Sequence, residues 1–72
     1  MSFQAYLDNV ETKTGKSAEQ LKAAAIDKVL ADGSGLAPGV KATAIVDWLK
    51  SDFDLGHGHA MSIVAYIKGK RN

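Results

Sequence analysis

The residues of this chain best suited to chemistry or binding lie in one short stretch, where glycine and histidine alternate as Gly56, His57, Gly58 and His59. An imidazole can bind a metal, transfer a proton or contact an anion near neutral pH. Glycine lets the backbone turn tightly or approach a ligand closely. This stretch is therefore the candidate binding site, and Lys50 is a candidate cationic contact beside it.

Three interpretations of the stretch are open from the sequence. In the first, which is structural, Gly56 closes one helix, Gly58 permits a tight backbone, and a histidine packs over the start of the next helix. In the second, free amides at that helix start act with the histidines to bind a phosphate or a carboxylate, because helix N-termini carry positive partial charge. In the third, His57 and His59 ligate a metal ion together with Asp52 or Asp54.

The metal interpretation matches no recognised ligand spacing, because the two histidines are separated by one residue beside a helix start. The sequence therefore predicts no metal and no other cofactor. No serine or threonine has the flanking pattern of a nucleophile elbow, so no catalytic residue is assigned. A small metal-dependent or hydrolytic enzyme using the two histidines stays an alternative, although the sequence favours a protein that is not an enzyme.

Helices position these residues. Apolar residues recur at the spacing of one helix face, and the start of the second helix has the capping-box pattern Ser17 and Gln20. Gly15 supplies a residue that closes the first helix. The pattern predicts an all-α, compact four-helix domain without a sheet, with helices at 3–13, 18–31, 40–53 and 58–68.

The segment 32–39 reads as a connecting loop, because it contains three glycines and the only proline of the chain. Asp32 and Gly33 form a common hairpin turn pair, but no β-branched runs flank them, so no hairpin is predicted. Residues 70–72, of which Lys70 and Arg71 are basic, are predicted to form a frayed tail.

Composition limits the classes of protein that fit. Seventy-two residues allow one domain, spanning 1–72, and the absence of cysteine excludes disulfides and thiolate metal sites. The absence of cysteine and of a leader pattern predicts a cytoplasmic protein. A net charge of +1 provides no overall basic field for nucleic acid, and no apolar run predicts a membrane partner.

Several short motifs are similar to those of a known family. They are Thr14-Gly15-Lys16 near the N-terminus, Trp48-Leu49-Lys50, and the segment from Leu55 to Ala60 with the sequence Leu-Gly-His-Gly-His-Ala. With these motifs the chain resembles a family of small bacterial domains of unknown function. The resemblance implies a helical, bacterial, cytoplasmic protein, and it transfers no activity or site residue.

The sequence thus favours a non-catalytic binding module. The junction between the third and fourth helices is predicted to contact an anionic partner, as phosphate or nucleic acid, or a protein partner. A homo-oligomer is also possible, since so short a chain has a thin stability margin, and a self-associating structural protein is a further alternative.

Overall fold

Four helices carry most of the chain that the computed structural model describes, residues 2–33 and 35–71. They are α1 (Phe3–Thr14), α2 (Ala18–Asp27), α3 (Ala42–Phe53) and α4 (His57–Ile67). The predicted four-helix fold is confirmed, and three of the helices have ends within two residues of the predicted ones. In the described part of the chain, none of the helices is long and apolar enough to cross a membrane.

The corner between α1 and α2 is formed by local capping, as the sequence predicts. Gly15 lies in the left-handed region with φ of 74°, and its N–H donates to the carbonyl of Glu11 at 2.8 Å. The Ser17 hydroxyl accepts from the Gln20 amide at 3.2 Å, and the Gln20 side chain accepts from the Ser17 amide at 2.8 Å. Both capping-box bonds are therefore present, and they fix where α2 begins.

Helix α2 ends at Asp27, four residues before the predicted end at residue 31. Val29 adopts a left-handed conformation with φ of 61°. Its amide donates to Ile26 O at 3.0 Å, and the Leu30 amide donates to Ala25 O at 2.9 Å. This pair of bonds is the Schellman arrangement that closes helices, usually with glycine in the left-handed position. A valine there carries no closing signal, so the apolar pattern alone predicted a longer helix.

The prediction that the chain has no sheet is wrong. Strands β1 (Ala31–Asp32) and β2 (Gly35–Leu36) pair antiparallel, with Ala31 opposite Leu36 and Asp32 opposite Gly35. The amide of Ala37 extends the pairing by donating to Leu30 O at 3.2 Å. The early end of α2 frees this segment to pair, and burial of Ala31 holds it against the core. The two-residue strands are too short for alternation to show in the sequence.

The core is built from one apolar face of each helix. Its largest fully buried side chains are Leu21, Ile45, Leu49, Ile63, Ile67 and Val10. Trp48 is half-buried and packs against this core, with its ring edge-on to Phe53 at a centroid distance of 5.5 Å. Trp48 therefore lies on the core-facing side of α3.

Helices α1 and α4 lie side by side and antiparallel. Lys13, near the end of α1, reaches the residue that precedes α4 by three positions, Asp54. The ring of Tyr6 contacts His59 in the first turn of α4, and Lys70, beyond the end of α4, lies over the ring of Phe3. This arrangement brings the C-terminal end of α1 to the junction between α3 and α4.

Candidate functional site

The α3–α4 junction is closed by Asp54 and not by Gly56. Asp54 adopts the left-handed conformation with φ of 55° and ψ of 36°, and its amide donates to Leu49 O. Gly56 is the N-cap of α4 in extended conformation, with φ of −71° and ψ of 165°. Helix α3 therefore ends at Phe53 as predicted, but Asp54 closes it in place of Gly56, because aspartate tolerates the left-handed region.

The N-terminus of α4 is exposed and has no side-chain cap. Glycine at the N-cap offers no oxygen to the first-turn amides, which belong to His57, Gly58 and His59. The first amide of the helix to find a helical acceptor is that of Ala60, which donates to Gly56 O at 2.9 Å. Gly56, His57 and Gly58 are all exposed. Positive partial charge is therefore presented to the surface at this point.

The fold does not require glycine at either position of the junction. Neither Gly56 nor Gly58 has a left-handed φ. A Cβ on Gly56 would meet nothing within 4 Å, and one on Gly58 would lie 3.7 Å from Cε1 of Tyr6, which is ordinary van der Waals contact. The structural interpretation has Gly58 permit a tight backbone, but the backbone observed there is one that other residues also adopt.

The two histidines have different surroundings. His57 is exposed at the first position of α4, whereas His59 is half-buried against α1, with its ring edge-on to Tyr6 at a centroid distance of 5.1 Å. Its Nε2 is buried and has no hydrogen-bond partner among the described residues. Residues two apart on a helix do not face each other. The structure thus divides the histidine pair into one surface residue and one packing residue.

The candidate metal ligands include His57, His59 and Asp54, and the two histidines have different surroundings. Within residues 2–33 and 35–71, no group of three or more histidine, cysteine, aspartate or glutamate side chains is placed to hold a metal ion. His57, His59 and Asp54 are therefore not brought together as a ligand set. Asp54 instead serves the backbone, as the residue that ends α3.

A lysine that sequence reasoning missed lies at the junction. Lys13 Nζ donates to the carbonyl oxygen of Asp54 at 3.2 Å, although 41 positions separate the two residues. Lys50, the predicted lysine, is exposed in the last turn of α3. Lys13 has no local signal for this role, because only the antiparallel packing of α1 on α4 places it there.

A second feature that the sequence did not indicate is a cleft of about 320 Å³ between α1, the start of α2 and the C-terminal end of α4 with the residues that follow it. Its lining combines apolar, acidic, aromatic and basic groups, contributed by Gln4, Leu7, Asp8, Glu11, Ser17, Ala18, Glu19, Tyr66 and Arg71. Three separate parts of the chain form it, so no short motif could have revealed it.

Tyr66 contacts two other residues of the cleft lining, Glu19 and Arg71. Its hydroxyl donates to Glu19 Oε2 at 2.5 Å, and the Arg71 guanidinium lies over its ring at 3.9 Å from the centroid. The hydrogen bond to the Glu19 carboxylate raises the pKa of Tyr66 above its ordinary value of 10.0, and partial burial adds to the rise, while Arg71 opposes it. Two residues of the predicted frayed tail make contacts: Lys70 lies over the Phe3 ring, and Arg71 donates to the carbonyl of Tyr66. The third, Asn72, lies outside the described residues.

Two substitutions around Tyr66 are expected to move its pKa in opposite directions. Glu19→Gln should lower the pKa, because it weakens the hydrogen bond and removes the nearby negative charge, whereas Arg71→Ala should raise it further. The check is an NMR titration of the Tyr66 ring in a Tyr6→Phe background. Because the folded pKa is raised, the contact stabilises the fold at lower pH, and this contribution is lost as pH rises through that pKa. Shifts of the same sign in both variants would contradict the assignment.

The fold and the junction together define a small four-helix domain with an uncapped helix start at its surface. The chain belongs to the family described as Domain of unknown function (DUF4287), whose model matches residues 2–69. The predicted resemblance to a family of small domains of unknown function is confirmed at that level. No curated protein and no solved structure matched the chain.

Proposed function

We propose that this protein is a non-catalytic binding module that holds a phosphate group at the N-terminus of α4. The observation that carries the proposal is the pair of glycines at this helix start, which neither backbone angles nor neighbouring atoms require. Glycines that the fold does not need leave the first-turn amides open to close approach by a ligand. Helix N-termini with free amides are ready-made sites for phosphate.

The charges around the helix start support an anion of modest size. Lys13 brings an ammonium group to the junction, and the exposed imidazole of His57 lies at the first position of α4. The carboxylate of Asp54, which is also exposed, opposes them. Lys50 stays in the proposed site as a flanking cation that can add a contact to a longer ligand.

The phosphate can come from a small molecule or from a nucleic acid backbone. A net charge of +1 gives the chain no overall basic field of the kind that favours strong nucleic-acid binding. Titrations with inorganic phosphate, with a short DNA and with a short RNA, each followed by amide chemical shifts, separate the sources. Saturable shifts at residues 56–59 are expected with inorganic phosphate, and a protein partner as the sole ligand would leave these amides unmoved in all three titrations.

The sharpest test is Gly58→Ala, because fold and function should respond with opposite signs. Alanine is preferred over glycine inside a helix by about 1 kcal/mol, and its methyl group fits beside Tyr6, so the melting temperature should rise. The same methyl group takes up space beside the first-turn amides, so phosphate affinity should fall by about tenfold, as for one lost hydrogen bond to a charged group. Calorimetry and the amide titration measure the two effects.

Gly33→Ala is the matched control, since Gly33 also has space for a Cβ but lies in the hairpin. It should leave phosphate binding unchanged. If Gly58→Ala binds phosphate as tightly as the unmodified protein does, the glycine is not there for a ligand and the proposal fails.

Three charge variants separate this proposal from the metal alternative. Lys13→Ala should weaken phosphate binding more than Lys50→Ala does, because Lys13 donates a hydrogen bond to the junction backbone. Asp54→Asn should strengthen binding, since it removes the opposing charge and asparagine also tolerates the left-handed region. A site built on metal ligands would instead lose binding in Asp54→Asn.

The proposed setting of this module is the bacterial cytoplasm. The absence of cysteine is consistent with a reducing compartment, and the bacterial origin rests on the family resemblance of the motifs. Recovery of the protein in the periplasmic or secreted fraction of a bacterial host that carries it would contradict this setting.

A further inference from the structure

The cleft beside Tyr66 has an excess of negative charge. Asp8, Glu11 and Glu19 contribute three carboxylates, and Arg71 is the one cationic residue in its lining. The ion pair found in the described part of the chain, between Lys28 and Asp52, lies elsewhere. None of the three cleft carboxylates therefore has a cationic nitrogen within salt-bridge distance among the described residues.

The cleft wall already holds a cation of the chain itself. The guanidinium of Arg71 stacks over the Tyr66 ring, and its Nη1 donates to the carbonyls of Tyr66 at 2.9 Å and Lys70 at 2.8 Å. Planar guanidinium groups favour such stacking on aromatic faces. Arg71 thus shows what chemistry this wall accepts, while its hydrogen bonds go to backbone carbonyls and leave the carboxylates unneutralised.

We propose that the cleft binds an arginine side chain of a partner polypeptide, in competition with Arg71. The incoming guanidinium would take the stacked place on Tyr66 and pair with the carboxylate of Glu19, which Tyr66 holds in position. Asp8 and Glu11, three positions apart on α1, would then face the residues of the partner polypeptide that flank this arginine. Planar bidentate pairing with carboxylates favours arginine over lysine.

The size and floor of the cleft fit a single side chain. Its volume of about 320 Å³ is at the small end of the range of ~300–1,000 Å³ that is typical of ligand sites. Leu7 and Ala18, which are both buried, provide an apolar floor for the methylene groups of the arginine. This site lies apart from the α4 start, so it stands or falls independently of the proposed phosphate binding.

The test is an amide chemical-shift titration of the full chain with a capped tetra-arginine peptide, compared with capped tetra-lysine and tetra-glutamate. Saturable shifts are expected at Asp8, Glu11, Glu19 and Tyr66, with tetra-arginine tighter than tetra-lysine. Arg71→Ala should tighten binding by about two- to fivefold, because it removes the competitor, and Glu11→Gln should weaken it by a similar factor. Asp47→Asn, at an exposed carboxylate on α3, is the matched control and should change nothing.

Several results would overturn the proposal. Equal weakening by Asp47→Asn and Glu11→Gln would show attraction to surface charge in general and not to the cleft. Equal affinity for tetra-lysine, or weaker binding by Arg71→Ala, would exclude a guanidinium site shared with Arg71. Shifts at the cleft with magnesium or calcium chloride, without any response to tetra-arginine, would assign the carboxylates to a metal. Thermal melts of each variant confirm that the fold is retained before binding is compared.

Discussion

Replacing Leu49 with alanine is expected to lower the free energy of unfolding by about 2–5 kcal/mol. Leu49 is fully buried and belongs to the shared core of the four helices. The substitution removes apolar contacts and leaves a cavity, and both effects destabilise the fold. At roughly 0.05–0.15 kcal/mol per residue, a chain of this length has only about 4–11 kcal/mol of stability, so the loss is a large share of the total.

Urea unfolding followed by circular dichroism measures this change. Met61→Ala is the control, because it also shortens a large apolar side chain of the helical bundle, but at a position that is 41% exposed. Its cost should be about 1 kcal/mol or less. Equal costs for the two variants would mean that the core is not organised around the buried face of α3.

Val29→Gly is expected to stabilise the protein by about 1 kcal/mol. Val29 holds the left-handed position that closes α2. This conformation costs a residue with a Cβ roughly 1–2 kcal/mol, and a β-branched residue such as valine is strained more than most. Glycine removes this strain, but its greater conformational entropy in the unfolded chain offsets part of the increase in the free energy of unfolding. Little burial is lost, because the valine is 74% exposed.

Two further variants isolate the cause of that gain. Val29→Ala and Val29→Gly both remove the exposed apolar side chain. Val29→Ala keeps a Cβ in the left-handed region, so it should gain less stability than Val29→Gly. Gly15→Ala places a Cβ in the equivalent position of α1, with φ of 74°, and should cost about 1–2 kcal/mol. Thermal unfolding of the set checks the order. A destabilised Val29→Gly would show that the valine side chain, and not the strain, dominates at this site.

The helix starts illustrate what local patterns can predict. Ser2 caps α1 and Ser17 with Gln20 caps α2, and each of these groups bonds to residues within one turn of itself. Interactions over three residues are visible in a sequence, so these starts were predicted correctly. The start of α3 was predicted two residues early, and its N-cap Lys41 makes no side-chain capping bond.

The hairpin illustrates why other parts were missed. Leu30 and Ala31 continue the apolar spacing of α2, so periodicity alone extends the helix through them. What ends the helix is a left-handed valine, and what pairs the strands is burial of Ala31 against the core. At Ala31, burial against the core outweighed local preference, and at Val29 the backbone adopts a conformation that valine disfavours. Local preference was all that the pattern could report.

The candidate site divides in the same way. The sequence by itself determined that glycines and histidines alternate at the entrance of a fourth helix, because composition and the 3.6-residue period are properties of the chain alone. Only the tertiary structure decided that His59 packs on Tyr6 while His57 stays exposed, and that Lys13 arrives from 41 positions away. The cleft around Tyr66 likewise exists only where three distant segments meet. Contacts between segments far apart in the chain depend on how helices pack, and no spacing within a single helix records that packing.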